Sequence, residues 1–177
     1  MRNSLITLFL LAMCNAAFAQ DVVYHHDLSV AIDPTSGQLE VEDTITLPAS
    51  TELAGLTFSL HGNLTVQSLS DGVTIEQTAT ADEAEDKGMD QEDYSSVIQS
   101  KHYSINVSGG SRPESVQLAY TGVINHPVKQ ANQEYARGFS QSPGLIDPQG
   151  VYLACSTNWI PSFDEEYVTY TMKVQTP

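Results

Sequence analysis

The sequence predicts an all-β fold, an antiparallel β-sandwich or saddle-like domain, and three observations predict it. Apolar residues recur with a period of two. The runs that carry this period are short. Clusters of Gly, Asn, Asp, Ser and Pro separate them. No amphipathic helical pattern of useful length interrupts the runs, so the layers that bury the apolar faces must themselves be sheets.

The first nineteen residues are expected to be a signal peptide outside the folded domain. Arg2 supplies a positive start, residues 5–13 are a short apolar stretch, and Ala17-Phe18-Ala19 is a small-x-small site for cleavage between Ala19 and Gln20. The apolar stretch is too short to span a bilayer. Met13, where a lipoprotein site wants a small residue, argues against lipidation at Cys14. Residues 20–177 then form a single β domain, long enough to bury about two-thirds of its unfolded surface.

The domain opens with a hairpin over residues 22–48. Leu28, Val30 and Ile32 alternate with Ser29 and Ala31, and Leu39, Val41, Ile45 and Leu47 share one parity. Between them Asp33-Pro34-Thr35-Ser36-Gly37 places proline and glycine where a tight loop needs them. Asp43 falls on the apolar parity, which suggests a bulge or an edge strand. Further strands follow at Leu56, Phe58 and Leu60, at Tyr103, Ile105 and Val107, and at Val116, Leu118 and Tyr120. Val168, Tyr170, Met172 and Val174 make the last. Two stretches break the alternation. Residues 81–94 are dense in Asp and Glu, with the one Lys87, and lack the ligand ladder of an EF-hand, so they read as a solvated loop. Residues 125–149 read as a long polar loop, placed to cover a sheet edge or to meet a neighbour.

Composition narrows the function. Seven Lys+Arg against 22 Asp+Glu give a formal net charge of −15, which repels phosphate backbones and disfavours nucleic acid as a partner. No stretch beyond the leader is apolar enough to cross a bilayer. Cys155 is the single cysteine after the leader, so the fold must stand without an internal disulfide, and its neighbours Leu153 and Trp159 favour burial of the thiol.

Catalytic patterns are missing. His25 and His26 are neighbours on a strand and point to opposite faces, and His61, His102 and His126 lack the short spacings of a zinc site. Ser140 and Ser142 are not set in Gly-x-Ser-x-Gly. Asp164, Glu165 and Glu166 are adjacent and read as a solvated turn rather than a cleft-spanning acid pair. No His-Glu-x-x-His is present, so the chain holds neither the two zinc histidines nor the water-activating glutamate of that peptidase mechanism.

The most distinctive block is Gly150-Val151-Tyr152-Leu153, followed by the single tryptophan, Trp159, and then Ile160-Pro161. Together with Tyr24-His25-His26-Asp27-Leu28-Ser29-Val30-Ala31-Ile32-Asp33-Pro34 and its following Gln38-Leu39-Glu40-Val41-Glu42-Asp43, with Val116-Gln117-Leu118-Ala119-Tyr120-Thr121-Gly122-Val123-Ile124, and with residues 167–177 as the strand after it, it resembles the amino-terminal β domain of the aminopeptidase N-like zinc metallopeptidases. The three segments occur in the family's order and span nearly all of residues 20–177. The resemblance implies a saddle-like domain that packs in cis on a thermolysin-like catalytic domain and helps wall its peptide cleft. The family's Gly-x-Met-Glu-Asn loop and zinc helix match no positions here, so no catalytic or metal residue carries over. Zinc is expected only in the catalytic domain. A packing role carries over to Trp159 and Pro161, and Gly150, Tyr152 and Leu153 are expected to be structural anchors beside them. The expectation is therefore a non-catalytic front domain of an exported protein, periplasmic or extracellular, with peptide substrate at the domain interface. A freestanding secreted β-sandwich that binds a peptide, glycan or protein partner is the alternative.

Overall fold

The computed structural model describes residues 23–82, 99–108, 112–130, 140–163 and 167–177. The leader with its Ala19 and Gln20 junction, residues 83–94 of the acidic stretch, residues 131–139 of the polar stretch and the carboxylates at 164–166 lie outside the described residues. In chain order the strands are β1 (Val23–Asp33), β2 (Gln38–Thr46), β3 (Thr57–His61), β4 (Thr65–Ser68), β5 (Val73–Asp82), β6 (Gln99–Val107), β7 (Ser115–Val123), β8 (Lys129–Gln130), β9 (Ser140–Gln141), β10 (Gly144–Asp147), β11 (Gly150–Leu153) and β12 (Tyr167–Gln175). Among the described residues, a 3-10 turn, Cys155–Thr157, lies between the last two.

The expected hairpin forms. β1 and β2 pair antiparallel from His25↔Thr46 to Asp33↔Gln38. Its turn is held by the Asp33 carboxylate, which accepts from the Thr35 amide at 2.9 Å and the Ser36 hydroxyl at 2.7 Å. Those bonds, Ser36 first, hold the Asp33 carboxyl below its ordinary range. Gly37 closes the turn at φ +72°, a conformation other L-residues avoid.

Two main sheets enclose the core. One has the order β12-β1-β2-β7-β4 and the other β3-β6-β5. All pairings are antiparallel except β1 with β12, which joins the two ends of the described chain in parallel register. Alternation does what the sequence promises. Leu28, Val30, Val41, Ile45, Leu118 and Tyr120 on the first sheet and Phe58, Leu60, Tyr103 and Ile105 on the second are all buried in one cluster. Each such side chain contributes on the order of 1.5–3 kcal/mol of transfer free energy. The glycine of Tyr120-Thr121-Gly122 is required by contact, because a Cβ there would collide with the Asn63 carbonyl oxygen.

The structure corrects three expectations. Asp43 marks neither a bulge nor an edge. It lies on β2 in the sheet interior, in unbroken register between Leu28 and Leu118, and it is buried because His26 supplies a partner inside. The stretch 125–149 is not wholly loop. It contains β8, β9 and β10, with an antiparallel bridge Asn125↔Leu145, and Ile146 is buried. Cys155 is exposed rather than buried: the 3-10 turn points Thr157 inward instead, while Leu153 and Trp159 pack sideways on the core.

Candidate functional site

The last strand is the anomaly. Its alternating apolar residues pair side by side with the core residues of β1: Val168 with Tyr24, Tyr170 with His26, Met172 with Leu28 and Val174 with Val30. Paired residues in a sheet share a face, so these four point the same way as the core. Yet β3-β6-β5 does not reach over them. Val168, Tyr170, Met172 and Val174 are 41%, 61%, 42% and 52% exposed, whereas Leu28 and Val30 are 1% and 2%. A row of four large apolar side chains on the inner face of an edge strand is the kind of surface a folded partner covers.

Around the 150–161 block the structure separates packing residues from surface ones. Gly150 and Tyr152 lie exposed, and a Cβ on Gly150 would meet open space. Leu153 and Trp159 are half-buried against the core, and Pro161 is buried. The fully seated aromatic of this region is Phe163. Its ring stacks on Tyr24 at 4.1 Å, lies 6.0 Å from Phe58 and sits 6.3 Å from the His26 imidazole. Sequence reasoning missed it. The backbone bridge Ser59↔Ser162 ties the segment to β3 one residue before Phe163, and nothing local in the sequence announces that long-range pairing.

Two polar constellations lie inside or beside the core. The first is His26 with Asp43, Nδ1 to Oδ2 at 2.8 Å, both side chains fully buried. The Tyr120 hydroxyl donates to the same carboxylate oxygen at 3.4 Å. Burial, and then the Asp43 charge, push the Tyr120 phenol well above its ordinary value, so it stays a neutral donor. Among the described residues, His26 Nε2 and Asp43 Oδ1 have no hydrogen-bond partner. With every member sealed from solvent, this group serves the interior of the sandwich, not a substrate.

The second constellation unites residues that looked scattered. His61, at the end of β3, and His126, just after β7, meet Nε2 to Nε2 at 2.8 Å with rings 68° apart. The Asn63 amide donates to His61 Nδ1 at 3.1 Å. The His61 amide donates to the Asn158 carbonyl at 2.7 Å. Burial above all, then the neighbouring His126 and Lys101, lower the His61 pKa to about 4, and burial lowers that of His126. Ser142, considered as a nucleophile, instead donates to the His126 carbonyl at 2.7 Å and accepts from the Gly144 amide. Among the described residues no group of three His, Cys, Asp or Glu side chains is arranged to hold a metal. The bond into His61 Nδ1 also fixes its proton on Nε2, which removes that nitrogen as a ligand.

On the outer face, the first sheet curves into an open groove of about 460 Å³, lined by Ser29, Ala31, Glu40, Glu42, Thr65 and Thr121 among others. It offers hydroxyls and two carboxylates from alternate positions of β2. No helix among the described residues is long and apolar enough to cross a membrane.

No family model and no curated protein matches the chain. Among solved structures it is similar to the M1 zinc metallopeptidase of Deinococcus radiodurans, at 17% identity and a TM-score of 0.46, over 89% of this chain and 32% of that one. A point mutant of that enzyme bound to a Tyr-Ser-Ala substrate gives 14% identity and a TM-score of 0.41 over the same shares. The chain thus spans about a third of the length of the structures it matches.

Proposed function

We propose that this chain is the non-catalytic amino-terminal β domain of an exported zinc metallopeptidase of the aminopeptidase N type. It packs on the catalytic domain in cis and shapes its peptide cleft. The observation that carries this reading is the uncovered inner face of β12, where Val168, Tyr170, Met172 and Val174 continue the core beyond the edge of the second sheet. An apolar row of this kind, in a chain whose net charge is −15, is costly to leave in water and is accounted for by a domain that lies on it. The resemblance of the 24–43, 116–124 and 150–177 segments supports a metallopeptidase catalytic domain as that neighbour. Zinc and the reacting groups belong to the catalytic domain, and the residues of this chain position rather than catalyse. The signal-like leader is the basis for export to the periplasm or beyond the cell.

A second reading, a freestanding binding sandwich, is favoured by the open groove on the outer face. The nucleotide sequence downstream of codon 177 separates the two. A frame that continues into His-Glu-x-x-His, with a further glutamate beyond it, supports the metallopeptidase domain. A stop codon at that point supports the binding module and makes a peptide and glycan screen against the groove the next experiment.

A further inference from the structure

The contacts made by His61 and His126 have a consequence independent of the metallopeptidase reading. His61 terminates β3 and is buried, and three segments converge on it. Its own turn reaches it through the Asn63 amide. The Trp159 block reaches it through the Asn158 carbonyl. The β10 arm reaches it through His126, whose amide and carbonyl are bonded to Gly144 and Ser142.

Proton positions follow from these partners. The Asn63 amide occupies the lone pair of His61 Nδ1, so neutral His61 carries its proton on Nε2. That proton is donated to His126 Nε2 at 2.8 Å, which places the His126 proton on Nδ1. The neutral pair therefore has one arrangement that satisfies every nitrogen facing a partner. An added proton has two places to go. On His126 Nε2 it sets two N–H groups head to head. On His61 Nδ1 it displaces the Asn63 amide. Either way a contact is lost with the first proton.

We propose that the His61–His126 pair is an acid-released clasp that fastens the β10 arm and the Trp159 block to the end of β3. The facing charges reinforce the release. Lys101, on the neighbouring β6, acts on His61 with the same sign as an added proton. The imidazole on β6, His102, is bonded to Ser59 at 3.0 Å. No Asp, Glu or Cys among the described residues joins the pair in a metal-holding group. Partial exposure of His126 gives the proton its route in. The depressed basicity of both rings is the thermodynamic face of the same geometry: the fold prefers the neutral pair, and acid opposes it.

Trp159, the single tryptophan, follows Asn158 directly and reports on the junction by its emission. The test titrates the protein from pH 7 to pH 4 while following Trp159 fluorescence and the Asn63 amide resonance. The expected result is one common midpoint between pH 6.5 and about 4. His126→Gln keeps an acceptor for His61 Nε2 but removes the partner ring that titrates and its share in lowering His61, so the midpoint shifts from that of the unsubstituted protein. His25→Gln, at a half-exposed histidine bonded to Thr169, leaves it unchanged. A flat Asn63 amide throughout, or an unaltered midpoint in His126→Gln, overturns the proposal. The imidazole nitrogen spectrum of the unsubstituted protein at pH 7 provides a reading that needs no variant. It must show His61 protonated on Nε2, and a proton on Nδ1 overturns the clasp outright.

Discussion

β1 and β12 are neighbours in one sheet with nearly the same pattern, yet one is core and the other is surface. Tyr24, His26, Leu28 and Val30 on β1 are buried, while Val168, Tyr170, Met172 and Val174 beside them on β12 are exposed. Alternation in a sequence states which face of a strand is apolar. It does not state how far the opposing sheet extends. Here the apolar residues of β1 are buried and their neighbours on β12 are not, so the same pattern yields a packed layer in one strand and an exposed apolar face in the next.

The strongest way to break the covered side is to remove half of its buried His26–Asp43 hydrogen-bonded pair. Asp43→Ala strands His26 in the interior and is expected to cost about 3–5 kcal/mol, read from the urea midpoint. Phe163→Ala removes the ring stacked on Tyr24 and costs roughly 3–5 kcal/mol by the same measurement. The sharpest form of the comparison is a matched pair in direct register. Leu28→Ala is expected to cost about 2–5 kcal/mol, and Met172→Ala no more than about 0.5 kcal/mol in this chain. Equal costs would mean that β12 is packed and that no surface is left over. A smaller effect concerns the junction behind Trp159. Asn158 adopts the left-handed conformation at φ 51°, so Asn158→Ala is expected to lose about 1–2 kcal/mol, visible in the same denaturation curve, while Asn158→Gly is tolerated better.

Acidity acts on the same covered side. The folded-state pKa of His61 lies below its ordinary 6.5, at about 4. The unfolded chain therefore binds more protons between those values. The stability contributed by the neutral ring is full above pH 6.5 and declines as the pH falls toward 4.

Much of the fold was legible because it is local. The β1–β2 hairpin, its Asp33–Gly37 turn and the strands at 103–107 and 116–120 follow from period and punctuation alone. Part of what was missed left a signal. His26 and Asp43 both sit on the apolar parity of paired strands, so the hairpin register already places them diagonally on one inner face. Asp43 read alone suggests an edge, whereas the pair suggests a buried bond. His61 and His126 left no such trace, since they are 65 residues apart and meet only through the bridge of Asn125 to Leu145 and the end of β3. Phe163 was hidden for the same reason. Trp159 drew the eye as the single tryptophan, yet the ring that fills the core is four positions on.

The central claim is that the inner face of β12 is covered by another domain in the assembled protein. Hydroxyl-radical footprinting of Tyr170 and Met172 tests it most directly, comparing this chain alone with the protein isolated intact from its source. The account predicts ready oxidation of both residues in the chain alone, where they are 61% and 42% exposed, and strong protection in the intact protein. Equal oxidation of both residues in the two samples would contradict it.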